Sequence, residues 1–173
     1  MIVDNLGPKI TSVDVEIFEG KHHLNLPEGY RQFLIECNGG SPYPNSYLAD
    51  SGVEVTISYL FSLGDGGLPG NLENDYCPPG WDDAHQEGYI QIGHDFGNQP
   101  IVLSTKGKTR GYVYLNIDSI PHLIAHSFGS LLRQANCRRG LSRGAYDDLM
   151  DRVLSGKPAD DQGYEFDIPD GED

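Results

Sequence analysis

The sequence predicts an α+β fold in which helices near both ends of the chain pack on a mostly antiparallel sheet. Apolar residues recur with helical spacing in the segment 30–37 and again in the segment 128–135. Between these segments, residues 53–61 alternate between apolar and polar side chains, as in a half-buried strand. Three short strands follow, at residues 89–92, 101–104 and 112–117. Because the connections between them are short, neighbouring strands must run antiparallel, which predicts a meander.

The segment LPEGYRQFLIECNGG, residues 26–40, predicts a helix with both ends marked. Pro27 fits the first turn, where its missing N–H group is not needed, and Glu28 places negative charge near the positive helix start. The apolar face has the spacing i, i+3, i+4 and i+7 and consists of Tyr30, Phe33, Leu34 and Cys37. The helix should end at Asn38-Gly39-Gly40, because glycine adopts the left-handed conformation at low steric cost.

Residues 10–19, ITSVDVEIFE, fit two interpretations. With helical spacing, Ile10, Val13 and Ile17 form one apolar face, and Ser12 is a candidate cap. With strand spacing, Val13, Val15 and Ile17 alternate with polar residues instead. We favour the helix, and we expect Gly20 to end it.

A long connection rich in glycine and proline, residues 64–88, precedes the meander. A short helical turn is predicted inside it near residues 72–76. Residues 41–52, before the first long strand, are also rich in turn-forming residues. A connection as long as 64–88 in a compact domain is usually functional or mobile.

The C-terminal part of the chain predicts two helices and an acidic extension. Ser127 is a good N-cap for the helix that contains residues 128–135. A further helix is predicted near residues 144–154, and the residues after it contain seven acids and one base. We therefore divide the chain of 173 residues into one α+β domain, residues 1–155, and an acidic extension, residues 156–173.

The chain is strongly acidic, with 26 Asp and Glu residues against 12 Lys and Arg residues and a formal net charge of −14. Such a field repels nucleic acids and anionic membranes and favours a basic protein partner, although acidity that serves only solubility explains the same charge. The sequence contains no apolar run long enough for a membrane span and no leader with a basic and then an apolar region. Since its three cysteines are also far apart, we expect a cytoplasmic protein without a disulfide framework.

Three motifs occur in order along the chain. The first is LP-x-x-Y-x-x-F-L closing in NGG and a proline, residues 26–42. The second is an I-G-x-D-x-G-N turn, then a strand, then G-x-V-Y, within residues 92–114. The third is Ser127-Phe128 at the start of a C-terminal helix. Together, over roughly residues 12–137, they resemble the SUKH superfamily, which includes fungal cell-wall-synthesis regulators and many bacterial immunity proteins.

The chain departs from the family pattern at two positions. The family usually has a second glycine before Asn98, and this chain lacks it, so the turn is shorter or has a different shape. Asn116 stands where the family frequently has a tryptophan.

The resemblance implies an α+β fold, no catalytic site, no cofactor and a protein-binding role. In bacteria such proteins are often cytoplasmic antidotes that bind and block a cognate toxin, commonly a nuclease. The acidic charge fits this role, because an acidic surface can occupy a basic nuclease cleft. A regulatory scaffold of the fungal cell-wall type is the alternative.

Our candidate partner-binding residues lie in the 65–95 region. They are Asp65, Trp81, Asp82, Asp83, Glu87 and Asp95. The aspartates and the glutamate would form an acidic rim, and Trp81 would be an aromatic anchor or, equally, a side chain that caps the core. Asp95 has an alternative role, since its side chain could accept hydrogen bonds from backbone N–H groups of the turn that follows it.

Other kinds of chemistry have weaker support in the sequence. A metal-dependent hydrolase could use the polar residues between Asp82 and Asp95, but loop solvation explains them more simply. His122 and His126 have the spacing of a helical metal pair, and that spacing loses its meaning if Ser127 begins the next helix. Lys106–Thr109 ends like a phosphate-binding loop but lacks the required glycine and the following helix.

Overall fold

The computed structural model describes residues 2–4, 7–43, 45–49, 51–64, 70–77 and 87–136. These residues belong to one compact unit, Met1–Gly140. The predicted helix near residues 144–154 and the acidic extension lie outside the described residues. Both therefore stay predictions.

Besides the short 3-10 helix Gly107–Thr109, the described residues contain four whole α-helices. They are α1 (Ser12–His22), α2 (Glu28–Glu36), α3 (Leu72–Asp75) and α4 (Phe128–Asn136). The helix α3 confirms the helical turn predicted inside the long connection. The predicted cap of α4 is also confirmed, because Ser127 Oγ accepts a hydrogen bond from the backbone N–H of Ser130 at 3.0 Å.

The strands form a two-stranded and a six-stranded antiparallel sheet. They are β1 (Ile2–Asp4), β2 (Ser41–Tyr43), β3 (Ser46–Leu48), β4 (Glu54–Leu60), β5 (Tyr89–Asp95), β6 (Pro100–Ser104), β7 (Val113–Ile117) and β8 (Ile120–Ala125). β1 pairs with β2, and the larger sheet has the order β3-β4-β5-β6-β7-β8. Strands that are neighbours in sequence are thus neighbours in the sheet, so the predicted α+β fold with a meander is confirmed.

The structure corrects two predictions about α1. Gly20 does not end the helix, which continues to His22 and ends where His23 adopts a left-handed φ of 52°. The buried side chains are Val15 and Phe18, whereas the predicted face of Val13 and Ile17 is exposed. Because α1 carries apolar residues on two sides, sequence periodicity alone does not identify the side that faces the core.

Four short strands were missed in the sequence. β8 follows β7 through the two-residue turn Asp118-Ser119, in which both residues have positive φ values of 50° and 67°. The sequence lacks the glycine that usually marks such a turn, which is why β8 was not predicted. β1, β2 and β3 have three residues each, too few for a periodic pattern, and β2 and β3 lie in the turn-rich segment 41–52.

The core lies between the helices and the sheet. Tyr30, Phe33 and Leu34 of α2 are buried as predicted, while Cys37 is half-buried. The rings of Tyr30 and Phe33 lie 4.8 Å and 5.0 Å from the ring of Phe128 on α4, which joins the two helices. These contacts bring the first and third sequence motifs together.

The end of α2 is fixed by Asn38, which is buried and has a φ of 50°. Its side-chain amide donates hydrogen bonds to the carbonyl oxygens of Pro8 and Leu63, both at 2.8 Å. Its Oδ1 accepts a bond from the N–H of Leu63 at 2.8 Å. A Cβ atom on Gly39 (φ 84°) would lie 2.8 Å from the backbone of Phe61, so a glycine is required there.

Candidate functional site

The turn between β5 and β6 is built around Asp95. Its Oδ1 accepts a hydrogen bond from the backbone N–H of Gln99 at 2.7 Å, which confirms the predicted role of this aspartate in the turn. Asn98 adopts a left-handed φ of 60°, and its N–H donates to the carbonyl oxygen of Asp95 at 3.1 Å. Asparagine tolerates this conformation, so the turn closes without the second glycine of the family pattern.

His94 supports the same turn from the sheet side. Its ring lies between the carbonyl oxygen of Asn98, 3.2 Å from Nδ1, and the side-chain amide of Gln91, 2.8 Å from Nε2. Since a carbonyl oxygen only accepts, Nδ1 carries the proton and Nε2 accepts from the amide. The imidazole of His94 therefore stabilises the turn.

An exposed aromatic side chain occupies the tip of this turn. Phe96 is 70% exposed, and its backbone N–H donates to the carbonyl oxygen of Thr56 at 2.9 Å. The backbone is thus held against β4 while the ring extends into solvent. Aromatic residues, phenylalanine among them, are enriched in the buried centres of protein interfaces.

A second acidic and apolar turn lies at the same end of the sheet. In an antiparallel meander the β5–β6 and β7–β8 turns leave the same end, so Asp118 and Ile120 lie on the side where Asp95 and Phe96 lie. Ile120 is 60% exposed. We call Asp95, Phe96, Asp118 and Ile120 the hairpin-end surface. The turn sequences DFGNQ and IDSIP contain no Lys or Arg, so the charge of these two turns is purely negative.

Glu87 lies at the opposite end of β5 from Asp95. The seven-residue strand β5, which begins two residues after Glu87 and ends at Asp95, spans about 20 Å. Gly88, next to Glu87, accepts hydrogen bonds from the backbone N–H and the hydroxyl of Thr105, at 2.6 Å and 3.0 Å. The connection after Thr105 carries the bases Lys106, Lys108 and Arg110. The structure therefore separates these two candidate residues and gives them opposite electrostatic surroundings.

The other candidate contact residues, Asp65, Trp81, Asp82 and Asp83, lie outside the described residues. Sequence reasoning missed Phe96, Asp118 and Ile120. The sequence around Phe96 does predict exposure, because an aromatic residue between Asp95 and Gly97 in a tight turn lies at the surface. No comparable signal marked Asp118 and Ile120, since their turn lacks glycine.

The described residues contain no group of three or more His, Cys, Asp and Glu side chains that could hold a metal ion. His122 lies in β8 and His126 follows that strand, so the two are not a helical pair. The ring of His126 packs instead against Tyr112, with the ring centroids 5.0 Å apart. A helix long and apolar enough to cross a membrane is also absent from the part of the chain that the structure describes.

A small pocket lies between Ser51 and the residues Leu123–His126 at the end of β8. Its volume of about 220 Å³ is below the range of roughly 300–1,000 Å³ that is usual for small-molecule sites. Its lining is mainly aliphatic, so it offers few groups to orient a substrate.

Fold and surface together define an α+β domain with an antiparallel meander whose hairpin end carries exposed apolar and acidic side chains. A family model described as the SMI1 / KNR4 family (SUKH-1) matches residues 9–134, and the chain belongs to that family. This family membership indicates an immunity-type or cell-wall-regulator-type role with protein partners, at the level of the family. A comparison with curated proteins returned no significant match.

Proposed function

We propose that the protein is a non-enzymatic cytoplasmic immunity protein that binds and neutralises a basic toxin, most simply a nuclease, through an acidic surface. Family membership supports a protein-binding role. The hairpin-end surface is the single observation that carries the proposal of binding through an acidic surface. Phe96 and Ile120 would enter apolar pockets of the partner, while Asp95 and Asp118 would face its bases.

The charge of the whole chain supports the same proposal. A formal net charge of −14 speeds the encounter with a basic protein and disfavours nucleic acid as a direct partner. Asp65, Trp81, Asp82, Asp83 and Glu87 belong to the proposed contact set as well. Of these, Glu87 has the least favourable surroundings, because three bases follow in the neighbouring connection.

The test is a binding measurement between the purified protein and the product of the adjacent open reading frame. We expect a complex whose dissociation constant rises by about tenfold or more between roughly 0.05 M and 0.5 M salt. Absent binding, or binding that does not respond to salt, would contradict the electrostatic proposal.

A pair of charge-removing substitutions tests whether the hairpin-end surface is the binding surface. Asp95→Asn with Asp118→Asn removes two charges but keeps side chains that suit both turns, so the fold should be retained. We expect the affinity to fall by about tenfold. Glu36→Gln with Asp75→Asn removes two charges that do not belong to the hairpin-end surface and serves as the matched control. Equal effects of the two double variants would show that total charge matters and the hairpin end does not.

The regulatory scaffold remains the second candidate, since the matching family also includes cell-wall regulators. It predicts no toxin gene beside this one and no protection of cells against a toxin. Genomic context combined with a toxin-protection assay therefore separates the two functions.

A further inference from the structure

We propose that the outward side of α1 is a second docking surface, which binds a basic amphipathic helix of a protein partner. This inference rests on the proposed function in taking the partner to be a basic protein. The surface consists of Val13, Ile17 and Gly20, at positions i, i+4 and i+7 of the helix, and we call it the α1 outer face.

Two large apolar side chains of this face are open to solvent. Val13 is 57% exposed and Ile17 is 62% exposed, one helical turn apart. The opposite side of the helix already provides the core contacts through Val15 and Phe18, both fully buried. The outer pair therefore contributes little to folding, and its apolar surface is available to a partner.

Gly20 extends the stripe by a third position. It is exposed and helical, and a Cβ atom added there would meet no atom within 4 Å. Neither steric crowding nor a positive φ requires a glycine, although glycine destabilises a helix interior relative to alanine. The absence of a side chain does allow the backbone of a partner to approach α1 closely.

The charges beside the stripe identify the kind of occupant. Glu16 borders the α1 outer face, and its carboxylate lies 3.7 Å from the guanidinium of Arg31. The same guanidinium is 3.8 Å from Glu28 and hydrogen-bonded to Glu19. One positive charge thus faces three carboxylates, and the other nearby base, Lys21, is already paired with Glu73. The carboxylates around α1 therefore outnumber the bases.

This excess favours a basic occupant over a second copy of the chain. A second copy would bring identical carboxylates together and add another net charge of −14. A helix suits the surface because Val13 and Ile17, one turn apart, and the bare backbone at Gly20 form a narrow stripe that a second helix can pack against. The occupant is therefore a helix with an apolar stripe flanked by Lys or Arg.

A peptide titration tests this face without the natural partner. The probe is a synthetic amphipathic peptide of leucine and lysine, and the control is a peptide of the same composition in scrambled order. In amide NMR spectra of the full chain, we expect shifts at Val13, Ile17 and Gly20 with the amphipathic peptide only. Shifts confined to other surfaces, or equal shifts with both peptides, would overturn the proposal.

Two substitutions then test the contact itself. Ile17→Ser removes an exposed apolar group, and Gly20→Gln places a long side chain across the face while improving helix propensity. We expect either change to weaken peptide binding by about tenfold. Because Gly20→Gln favours the helix, lost binding would not reflect unfolding. Leu48→Ser alters an exposed apolar residue of β3 and is the matched control. Binding of both α1 variants at the affinity of the unchanged chain would contradict the proposal.

The failure of this inference and the failure of the proposed function give different results. If the adjacent gene product binds but the peptide does not contact α1, only the α1 outer face is rejected. If the peptide binds α1 but the adjacent gene product forms no complex, only the proposed immunity function is rejected.

Discussion

The hydroxyl group of Tyr30 is a polar atom in the middle of an aromatic cluster. It is buried and has no hydrogen-bond partner among the described residues. Burial raises the pKa of this phenol well above its usual value of 10.0, because the charged form would lose its hydration. The ring, in contrast, packs between Phe33 and Phe128. The ring therefore stabilises the fold, and the hydroxyl group weakens it.

We expect Tyr30→Phe to raise the free energy of unfolding by about 1 kcal/mol, since it removes an unsatisfied buried group and keeps the ring. Tyr30→Ala should lower the same free energy by about 3–5 kcal/mol through the cavity it leaves. Urea denaturation of both variants measures the two changes. A loss of stability in Tyr30→Phe would mean that the hydroxyl group has a partner in solution.

At the scale of elements, an ion pair joins the end of α1 to α3. Lys21 hydrogen-bonds to Glu73, and His22 lies 3.6 Å from the same carboxylate. The hydrogen bond from Lys21 is the main cause that holds the pKa of Glu73 below its usual value of 4.5. Phe18 and Tyr76 pack edge to face beside this pair, with ring centroids 6.3 Å apart. Polar and apolar contacts thus fix α1 to the segment that follows β4.

We expect Glu73→Gln to lower the free energy of unfolding at neutral pH by no more than about 1 kcal/mol, since both side chains are partly exposed. A lowered pKa in the folded state stabilises the protein above pH 4.5, and this contribution disappears as the pH falls through the folded value. Thermal denaturation of both proteins across the range from pH 7 to pH 3 should show the difference shrinking below pH 4.5. A difference that does not depend on pH would indicate lost packing instead.

At the scale of the whole molecule, the side chain of Asn38 connects three parts of the chain. Its hydrogen bonds join the end of α2 to Pro8, near the N-terminus, and to Leu63, after β4. The bonds with Leu63 are buried. Asn38 therefore fixes the position of α2 relative to the sheet, beyond its expected role of ending a helix.

We expect Asn38→Ala to lower the free energy of unfolding by roughly 3–5 kcal/mol, because it leaves the N–H and carbonyl groups of Leu63 buried without partners. Asn38→Ala loses the hydrogen bonds of the amide and also places alanine at a positive φ. Asn38→Gly permits the positive φ but lacks the amide, so it separates these two causes. A loss in Asn38→Gly close to that in Asn38→Ala, measured by chemical denaturation, would show that the hydrogen bonds dominate. A nearly neutral Asn38→Gly would show that backbone conformation matters more.

The elements that sequence analysis located correctly are those whose signals are local. The helix α2 has one apolar face and marked ends, and β4 alternates over its full length, so both were predicted within about two residues. Periodicity was insufficient for α1, where Val13 and Ile17 compete with Val15 and Phe18 for the core. It was also insufficient for β8, whose turn at Asp118-Ser119 lacks a glycine.

The candidate site was less predictable because a surface is assembled from distant parts of the chain. Asp95 and Glu87 are eight positions apart in sequence, yet the extended strand between them places them at opposite ends of the sheet. Conversely, Asp95 and Asp118 are far apart in sequence and lie at the same end, because the meander reverses direction at each turn.

Local spacing, composition and the order of the motifs were enough to predict the α+β class, the acidic charge and the family. The folded chain was needed to show which side of α1 faces the core, where Asp95 and Glu87 lie relative to the bases, and which segments Asn38 connects. The physical reason is that burial and electrostatic surroundings depend on neighbours brought together by folding. Periodicity shows which faces of a segment could be buried, and packing against the rest of the chain determines which face is buried.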